Sequence, residues 1–509
     1  MKGAVAAGHP ATAEAAAWAL EAGGNAFDAA MAGLCAASVA EPVLTSLAGG
    51  GFLLAHPGSG RNTLYDFFVQ TPLHRRPESA LDFYPILADF GTAQQEFHIG
   101  MGSIATPGTV KGLFRIHAEL CTLPMREIVT PAVDFARNGI ALNRLQAYIF
   151  SVVAPIYLST AGARSVYASR TVSDSLVVEG EHLRQPELAD ALELLALEGE
   201  RLFYQGEMGA ALVAACQSGG GYLQRADLNA YDVVRREPLG YRYRDARILT
   251  NPPPSSGGCL IRFAHALLEP HDPGEFGSAQ HLRLLSEVMK LTNLARMENG
   301  MTAGGGAGDI LGQDTLARFH SALAGHPVNS RGTTQISVVD AQGNAASLTL
   351  SNGEGSGFVL PGTGIMVNNM LGEEDLNPGG FHRWDTDVRV SSMMAPTIAI
   401  DEGRVVATGS GGSNRLRTAI LQTLNNLYDF GMEVREAVDS PRIHVEKDRL
   451  SIEPGFPAPA MEQVCAGYTG HQCWKERNLF FGGTHTVIHD GRGFSGAGDP
   501  RRGGVCLVV

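Results

Sequence analysis

An α+β fold is the class that this 509-residue sequence predicts. Apolar residues recur with helical spacing in 11–20 and 26–39, and these segments end at a glycine pair and before a proline. Residues 336–350 instead alternate between apolar and hydroxyl side chains, which is the two-residue period of a strand. This alternation is interrupted at 340–344, where Asp-Ala-Gln-Gly-Asn suits a hairpin turn. Helices and hairpin strands in one chain place it in the mixed class.

The other elements follow from similar patterns, taken in chain order. A glycine-dense turn at 49–51 leads into an apolar strand, and residues 186–199 carry a clear helical pattern. The run Pro252-Pro-Pro-Ser-Ser-Gly-Gly258 interrupts any regular element, so a helix is expected to begin at about Cys259. A further helix is expected from about Leu416 to Phe430, after a second glycine-rich turn.

Composition argues against several classes of function. A net charge of −13 and the lack of any basic run disfavour nucleic acid as a partner. No stretch of about 18 apolar residues is present, so no membrane-spanning helix is expected. Seven cysteines without a Cys-x-x-Cys pair favour buried free thiols in a reducing compartment. The N-terminal residues lack the apolar core of a signal peptide, which favours a cytoplasmic location.

Two patterns that could suggest a ligand site are interpreted otherwise. His485 and His489 lie four residues apart, but the β-branched residues between them favour a strand, and no third ligand is evident. No metal site is therefore predicted. The run Gly304-Gly305-Gly306 is followed by no Gly-Lys-Ser or Gly-Lys-Thr, so it is interpreted as a flexible loop rather than a phosphate loop.

The most informative stretch is the point where a polar loop enters the alternating strand pair, at Gly332-Thr333-Thr334. On strand propensity alone, two adjacent threonines simply suit the start of a strand. The longer stretch Thr333-Thr-Gln-Ile-Ser-Val-Val-Asp-Ala-Gln-Gly-Asn-Ala345, however, resembles the self-cleavage segment of the γ-glutamyltransferase family. Members of this family are N-terminal-nucleophile (Ntn) hydrolases. Further similar motifs, among them the proline run before Cys259, extend the resemblance from His9 to Gly504.

The resemblance implies a four-layer αββα sandwich, in which helices cover two central sheets. It also implies self-cleavage before Thr333, which gives a large subunit of residues 1–332 and a small subunit of residues 333–509. Together the two fragments would form one αββα unit. The freed Thr333 would be the nucleophile, and its own α-amine would be the base that activates the hydroxyl.

The same resemblance assigns further active-site roles. The hydroxyl of Ser351 would support the nucleophile from the neighbouring strand. The backbone N–H groups of Gly411 and Gly412 would stabilise the tetrahedral oxyanion. Asn352 and Glu354 are expected to line the pocket. The chemistry would be acyl transfer through an ester on the nucleophile, with water or an amine as acceptor, and it needs no cofactor.

Three elements depart from the family pattern for binding a γ-glutamyl head group. Phe68 stands where members carry the Arg that holds the substrate's α-carboxylate. In the ungapped match, the family's Ser-Ser pair falls on Ser392 and Met393, so one hydroxyl is lost. The acids that hold the α-amine are displaced, and Glu373 is the first acid after Asn369. Together these departures predict a different or modified acyl group in a more apolar pocket.

The expected function is therefore that of a self-processing hydrolase or acyltransferase that acts on a small molecule other than a plain γ-glutamyl compound. The precedents are amide-cleaving acylases and, in antibiotic and other specialised-metabolite pathways, relatives that cleave a C–C bond beside a carbonyl. One alternative is an ordinary γ-glutamyltransferase or glutathione hydrolase that binds its head group differently. Another is a catalytically inactive binding or scaffold protein. The two fragments are expected to stay associated, and a homodimer is left open.

Overall fold

A computed structural model describes the protein over residues 1–89, 94–298, 310, 332–377, 379–446 and 448–509. Two antiparallel sheets form the centre of the described part, one of seven strands and one of six. The loop expected at Gly304-Gly305-Gly306 lies outside the described residues.

The seven-stranded sheet contains the predicted hairpin. Thr334–Asp340 pairs antiparallel with Ala345–Ser351, so that Gln335 lies opposite Thr349 and Ser337 lies opposite Ser347. In order across the sheet, the strands are Val505–Val508, Gly3–Ala7, Thr334–Asp340, Ala345–Ser351, Gly50–His56, Thr63–Asp66 and Val234–Arg236. The N-terminal strand therefore lies between the last strand of the chain and the first strand of the hairpin.

The six-stranded sheet packs face to face against the first. Its strands, in order, are Phe494–Ala497, Gly483–His489, Arg404–Gly411, Thr397–Asp401, Ala246–Thr250 and Leu239–Tyr243. Hydroxyl groups link the two sheets: Ser337 Oγ donates to the His485 carbonyl at 2.7 Å, and Ser347 Oγ donates to the Thr408 carbonyl at 2.7 Å. The hydroxyl residues of the alternating pattern are therefore buried between the sheets.

Helices cover the outer face of each sheet. The helices Pro10–Glu21, Ala26–Ala40 and Thr109–Leu120 contact strands of the seven-stranded sheet, Met125–Asn138 packs on Ala26–Ala40, and Pro186–Glu198 packs on Met125–Asn138. The helices Gly257–Leu268 and Arg415–Tyr428 contact strands of the six-stranded sheet, Ala279–Glu298 packs on Gly257–Leu268, and Ala458–Cys465 packs on Ala279–Glu298. Other helices of the described part are Arg144–Tyr157, Ala161–Tyr167, Arg201–Tyr204, Glu207–Ser218, Arg225–Ala230 and Val434–Asp439. A small three-stranded sheet consists of Ile443–Glu446, Arg449–Ile452 and Gly470–Cys473.

Apolar side chains separate the layers, and the first strand illustrates how. Val5 and Ala7 belong to the cluster shared with the helices, whereas Ala4 and Ala6 belong to the cluster between the sheets. This division follows from the alternation of side chains along a strand. A third cluster lies between the six-stranded sheet and its helices. The expected αββα sandwich is therefore confirmed.

Local sequence signals account for the helix boundaries. Pro10 occupies the first helical turn, where its missing N–H costs nothing, and Asn25 forms a capping box with Asp28 at the start of the next helix. The helix expected from about Cys259 begins two residues earlier, at Gly257. The helix expected from Leu416 begins one residue earlier, because Asn414 and Arg415 follow the glycine turn directly.

Candidate active site

Two hydroxyl groups converge on the carbonyl oxygen of Gly332. Thr333 Oγ1 donates to this oxygen at 2.8 Å, and Ser351 Oγ donates to it at 2.9 Å. They meet there because Thr334 lies opposite Leu350 in the hairpin. Thr333 precedes Thr334 and Ser351 follows Leu350, so both lie at the open end of the hairpin. Hydrogen bonds to a carbonyl oxygen polarise the group and stabilise charge that develops on it. The geometry suits attack by a hydroxyl on the Gly332 carbonyl carbon.

The Gly332–Thr333 segment is held at its other polar atoms as well. The Gly332 N–H donates to Glu354 Oε1 at 3.0 Å, and Arg502 Nη1 donates to the Thr333 carbonyl at 3.5 Å. The backbone of Gly411 lies against the same carbonyl, since a Cβ at position 411 would come within 2.2 Å of its oxygen. Position 411 therefore requires glycine.

A buried carboxyl group lies next to this segment. Glu41 accepts hydrogen bonds from Thr334 Oγ1 at 2.7 Å and from Thr12 Oγ1 at 2.8 Å. Burial raises the pKa of Glu41 to about 7, although both hydroxyls and the positive charge of Arg502 act in the opposite direction. Near neutral pH this carboxyl group is therefore divided between its two protonation states. The sequence analysis missed Glu41, because a single Glu after an apolar helix carries no signal of its own.

A cavity of about 500 Å³ opens beside Thr333 and Ser351. Four of the predicted substrate-binding residues lie in its wall, namely Phe68, Glu373, Ser392 and Met393. Much of the remaining wall is apolar, and includes Met370, Leu376, Trp384, Val388, Val390, Met394 and Leu416. The structure therefore brings the candidate nucleophile and these four residues to one site.

Two residues that were expected to line the pocket lie elsewhere, which corrects the sequence analysis. Asn352 is fully buried, and its Oδ1 lies against Gly49, at 3.2 Å from where a Cβ of that glycine would be. Side chains alternate along a strand, so Asn352 points away from the side to which Ser351 points. Glu354 binds the Gly332 N–H from outside the cavity wall. Glu354 therefore holds the backbone at the candidate cleavage site, and neither residue lines the cavity.

The glycine-rich turn lies where a strand meets a long helix. Arg404–Gly411 is the strand, Gly412 has a φ of +115°, and Arg415–Tyr428 is the helix. Ser413 and Asn414, which follow Gly412, line the cavity, whereas the two glycines do not. The turn itself is as predicted, and the oxyanion role of Gly411 and Gly412 stays a prediction. The same Gly-Ser-Gly-Gly-Ser-Asn run could have identified the two polar residues.

Phe68, which stands where the family pattern has an arginine, is packed among other side chains. It is 1% exposed and stacks on Phe52, with ring centroids 5.4 Å apart. Two arginines of the cavity wall instead share Asp66: Arg236 Nη2 lies 2.8 Å and Arg389 Nε lies 3.4 Å from its carboxylate oxygens. Asp66 alone does not balance the charge of both guanidinium groups, and Asp385 is a further carboxylate of the cavity wall. The sequence analysis missed this group because its members lie far apart in the chain.

Another charged group lies elsewhere in the cavity wall. Arg296 comes from the helix Ala279–Glu298, and Asp375 lies in the wall with it. Burial lowers the pKa of Arg296, while the charges of Glu446 and Asp375 oppose that shift. The cavity is therefore apolar over much of its wall, and the rest carries both arginine and carboxylate side chains.

An αββα sandwich with a hydroxyl residue at the end of a central strand is the architecture of the Ntn hydrolases. The family model for gamma-glutamyltranspeptidase matches residues 12–509, so the chain belongs to the γ-glutamyltranspeptidase family. Members of this family are hydrolases and acyltransferases, and this protein is an enzyme of that kind.

Curated relatives include both acylases and glutathione hydrolases. An acylase ACY 1 proenzyme from Pseudomonas sp. (strain V22) is 31% identical over 497 residues, which cover 92% of this chain and 87% of the relative. A glutathione hydrolase proenzyme from Escherichia coli (strain K12) is 31% identical over 478 residues, which cover 86% of this chain and 80% of the relative. Because the chain is equally identical to an acylase and to a glutathione hydrolase, sequence identity does not indicate the substrate. The side chains of the cavity have to indicate it instead.

A similar solved structure is that of the cephalosporin acylase from Bacillus halodurans, with a TM-score of 0.86. The match covers 99% of this chain and 95% of that chain at 23% identity, and it shows a shared fold. The γ-glutamyltranspeptidase of Helicobacter pylori matches with a TM-score of 0.52 over 57% of this chain and 82% of that chain, at 27% identity. Among the described residues, no helix has both the length and the apolar character that crossing a bilayer requires.

Proposed function

We propose that this enzyme cleaves its own chain between Gly332 and Thr333 and then uses Thr333 to transfer an acyl group other than plain γ-glutamyl. The observation that carries this proposal is the pair of hydroxyls on the Gly332 carbonyl oxygen, one from each strand of the hairpin. Cleavage would give a large subunit of residues 1–332 and a small subunit of residues 333–509.

Self-cleavage would proceed by an N-to-O acyl shift. Thr333 Oγ1 attacks the Gly332 carbonyl carbon, and Ser351 Oγ donates a hydrogen bond to the oxyanion that forms. The C–N bond then breaks, the nitrogen takes up the proton that the Thr333 hydroxyl released and leaves as the α-amine of Thr333, and Gly332 is held as an ester on Oγ1. Water hydrolyses the ester and frees the Gly332 carboxylate. Glu354 and Arg502 hold the two sides of this segment during the reaction.

In the processed enzyme the new α-amine would act as the base for the Thr333 hydroxyl. Its reference pKa of about 7.7–8.0 leaves a useful neutral fraction near pH 7. The acyl group of a small-molecule substrate would occupy the adjacent cavity and form an ester on Thr333. Water or an amine would then accept the acyl group.

Side chains of the cavity support a substrate that lacks the γ-glutamyl head group. Phe68 and Met393 supply apolar surface where the family pattern has an arginine and a serine. Ser256 Oγ is directed at Met393 Sδ, at 3.2 Å, and so does not take the place of the missing hydroxyl. We therefore favour an amide whose acyl group is largely apolar. C–C cleavage beside a carbonyl is an outcome that the substrate test below distinguishes.

Mass measurement under denaturing conditions tests self-cleavage. Wild-type protein is expected to give two fragments of 332 and 177 residues, whereas Thr333→Ala is expected to remain intact. Thr333→Ser, which keeps a hydroxyl at the same position, should still cleave at a lower rate. An intact wild-type chain after prolonged incubation would make the binding or scaffold alternative the leading one.

Substrate preference is tested separately, on the processed enzyme. We expect p-nitroanilides of apolar acyl groups to be hydrolysed faster than γ-glutamyl-p-nitroanilide. Fast turnover of the γ-glutamyl compound would instead support the ordinary γ-glutamyltransferase or glutathione hydrolase alternative. If neither amide is turned over by a fully cleaved enzyme, a ketone substrate cleaved next to its carbonyl becomes the better hypothesis.

Location and assembly belong to the same proposal. The seven cysteines form no disulfide, which supports a cytoplasmic location. The partners proposed are a small-molecule substrate and the other fragment of the same chain, with neither nucleic acid nor a membrane involved.

A further inference from the structure

Three metal-binding side chains meet at the surface, outside the wall of the Thr333 cavity. The helix Ala458–Cys465 ends in the first of them, and the strand Gly470–Cys473 carries the other two. His471 and Cys473 are two positions apart in this strand, so their side chains leave the same face of the small sheet. The turn between helix and strand brings Cys465 to that face.

The three side chains are close enough to share one ion. One ligand atom from each of Cys465, His471 and Cys473 lies within 4.8 Å of the other two. Within the part of the chain that the structure describes, no other group of three such side chains meets this condition. The spacing Cys-x5-His-x-Cys is a sequence signal that the search for Cys-x-x-Cys pairs missed.

The separation of the two sulfur atoms suits a shared metal better than a disulfide. Cys465 Sγ and Cys473 Sγ are 3.8 Å apart. A disulfide requires a separation of about 2.05 Å. Two thiolates bound at about 2.3 Å to one tetrahedral Zn²⁺ are about 3.8 Å apart. The sulfur atoms therefore already have the spacing that the metal requires.

The ligand atoms of the three side chains indicate which metal ion they would bind. Two thiolates and an imidazole form a set of sulfur and nitrogen ligands that prefers Zn²⁺ to the oxygen-seeking Mg²⁺ and Ca²⁺. Cys465 is buried, whereas His471 and Cys473 are exposed, so a fourth ligand can come from solvent. The arrangement therefore suits a four-coordinate ion with three protein ligands.

We propose that Cys465, His471 and Cys473 bind one Zn²⁺ ion. The two thiols release their protons to solvent as the Zn–S bonds form, and no electron is transferred. The ion joins the end of the helix Ala458–Cys465 to the edge strand Gly470–Cys473 of the small sheet. This site is independent of the Thr333 chemistry.

Paired strands and one hydrogen bond connect the proposed zinc site to the wall of the cavity. The edge strand pairs with Arg449–Ile452, which pairs in turn with Ile443–Glu446. Glu446, at the end of that last strand, accepts a hydrogen bond from Asn414 Nδ2 at 3.1 Å, and Asn414 lies in the cavity wall. The ion therefore stabilises the sheet behind the cavity without contacting the substrate.

Zinc retention by the full-length protein tests the proposal. The protein is reduced, freed of metal by chelation, given ZnCl₂ and desalted, and its zinc content is measured by mass spectrometry. We expect one zinc per wild-type chain and background zinc in Cys465→Ser and in His471→Ala. Co²⁺ in place of Zn²⁺ should give a thiolate-to-cobalt charge-transfer band in the wild type that both variants lack.

Controls separate this site from other thiols and from unfolding. Cys121→Ser and Cys506→Ser change half-buried cysteines outside the cluster, so both should retain one zinc. His471→Ala alters an exposed side chain, so it tests the site even if Cys465→Ser fails to fold. Equal zinc in the wild type and His471→Ala, or no zinc in the wild type, would overturn the proposal. So would a Cys465–Cys473 disulfide in protein purified without oxygen.

Discussion

At the scale of single residues, the hydroxyl of Ser351 has a role that can be measured. It donates a hydrogen bond at 2.9 Å to the carbonyl that Thr333 would attack, and removal of one such donor typically costs about 10²–10³ in rate. Ser351→Ala is therefore expected to slow self-cleavage by about 100-fold or more, measured by following the fragments over time. Ser351→Thr, which keeps the donor, should stay within about tenfold of the wild type. Equal rates for the alanine variant and the wild type would contradict this role.

Glu41 gives a second prediction at this scale, for the pH dependence of stability. Burial raises its pKa from 4.5 to about 7, so between these values the folded state binds more protons at this group than the unfolded state does. Its contribution to the free energy of unfolding therefore falls as pH rises from 4.5 to 7. The shift corresponds to about 3 kcal/mol. Glu41→Gln should remove this loss.

The measurement is denaturant unfolding at several pH values in the uncleavable Thr333→Ala background, so that one covalent species is present. The protein with Glu41 should lose stability relative to the Glu41→Gln variant as pH rises from 4.5 to 7. Glu436→Gln, a change on a different helix at a group outside this network, should not alter the pH profile. A constant difference in stability between the protein with Glu41 and the Glu41→Gln variant across the window would show that folding does not raise the pKa of this carboxyl group.

The active-site residues that could be predicted from the sequence are those that lie in recognisable short motifs. Thr333, Ser351 and the glycine turn lie in short contiguous motifs, and the structure brings these segments together. Asn352 was misplaced because a strand turns each successive side chain to the opposite face. Glu41 and the arginine pair on Asp66 gave no local signal, since their environment is created by distant parts of the chain.

At the scale of elements, the alternating pattern and the turn residues were sufficient to predict the hairpin. The first two helices were also predicted to within one residue at each end, whereas Ala161–Tyr167, although capped by Thr160, was not predicted. The order of strands in the two sheets could not be read from local patterns. It depends on which apolar faces meet after distant segments approach, as when Gly3–Ala7 inserts beside Thr334–Asp340.

The hairpin turn itself gives a testable prediction. Asp340 accepts hydrogen bonds from the N–H groups of Gln342 at 3.0 Å and Asn344 at 2.9 Å, and from the Ala26 N–H at 2.8 Å. It therefore fixes the turn and joins it to the start of a helix. Its loss leaves the buried N–H of Ala26 unpaired, at about 1–3 kcal/mol, and also removes the two hydrogen bonds of the turn, at about 1 kcal/mol each. We expect Asp340→Ala to lower the free energy of unfolding by about 3 kcal/mol or more.

The corresponding hairpin of the other sheet provides the control. Asp401 pairs with Arg404 at 2.9 Å in a partly exposed ion pair, and such pairs contribute about 0–1 kcal/mol. Asp401→Ala should therefore reduce stability by about 1 kcal/mol or less, when urea unfolding is measured for both variants. Equal losses from Asp340→Ala and Asp401→Ala would mean that the turn network around Asp340 contributes little.

At the scale of the whole molecule, both sheets combine strands from the two sides of the Gly332–Thr333 bond. Gly3–Ala7 lies between Thr334–Asp340 and Val505–Val508, and Ala246–Thr250 pairs with Thr397–Asp401. Cleavage would break one covalent bond but no part of these ladders. Separating the fragments would instead expose the apolar layers on both sides of each sheet, which is far more costly than losing one chain connection.

We therefore expect the two fragments to behave as one folded unit after cleavage. Processed wild-type protein and intact Thr333→Ala should elute at the same volume in size-exclusion chromatography in native buffer. The fragments should separate only in denaturant. The processed wild type and the intact Thr333→Ala protein should each unfold in a single transition, because each apolar layer contains residues from both fragments. Fragments that separated in native buffer would mean that the mixed sheets do not hold them together, and the active site would then lack Phe68 and its part of the cavity wall.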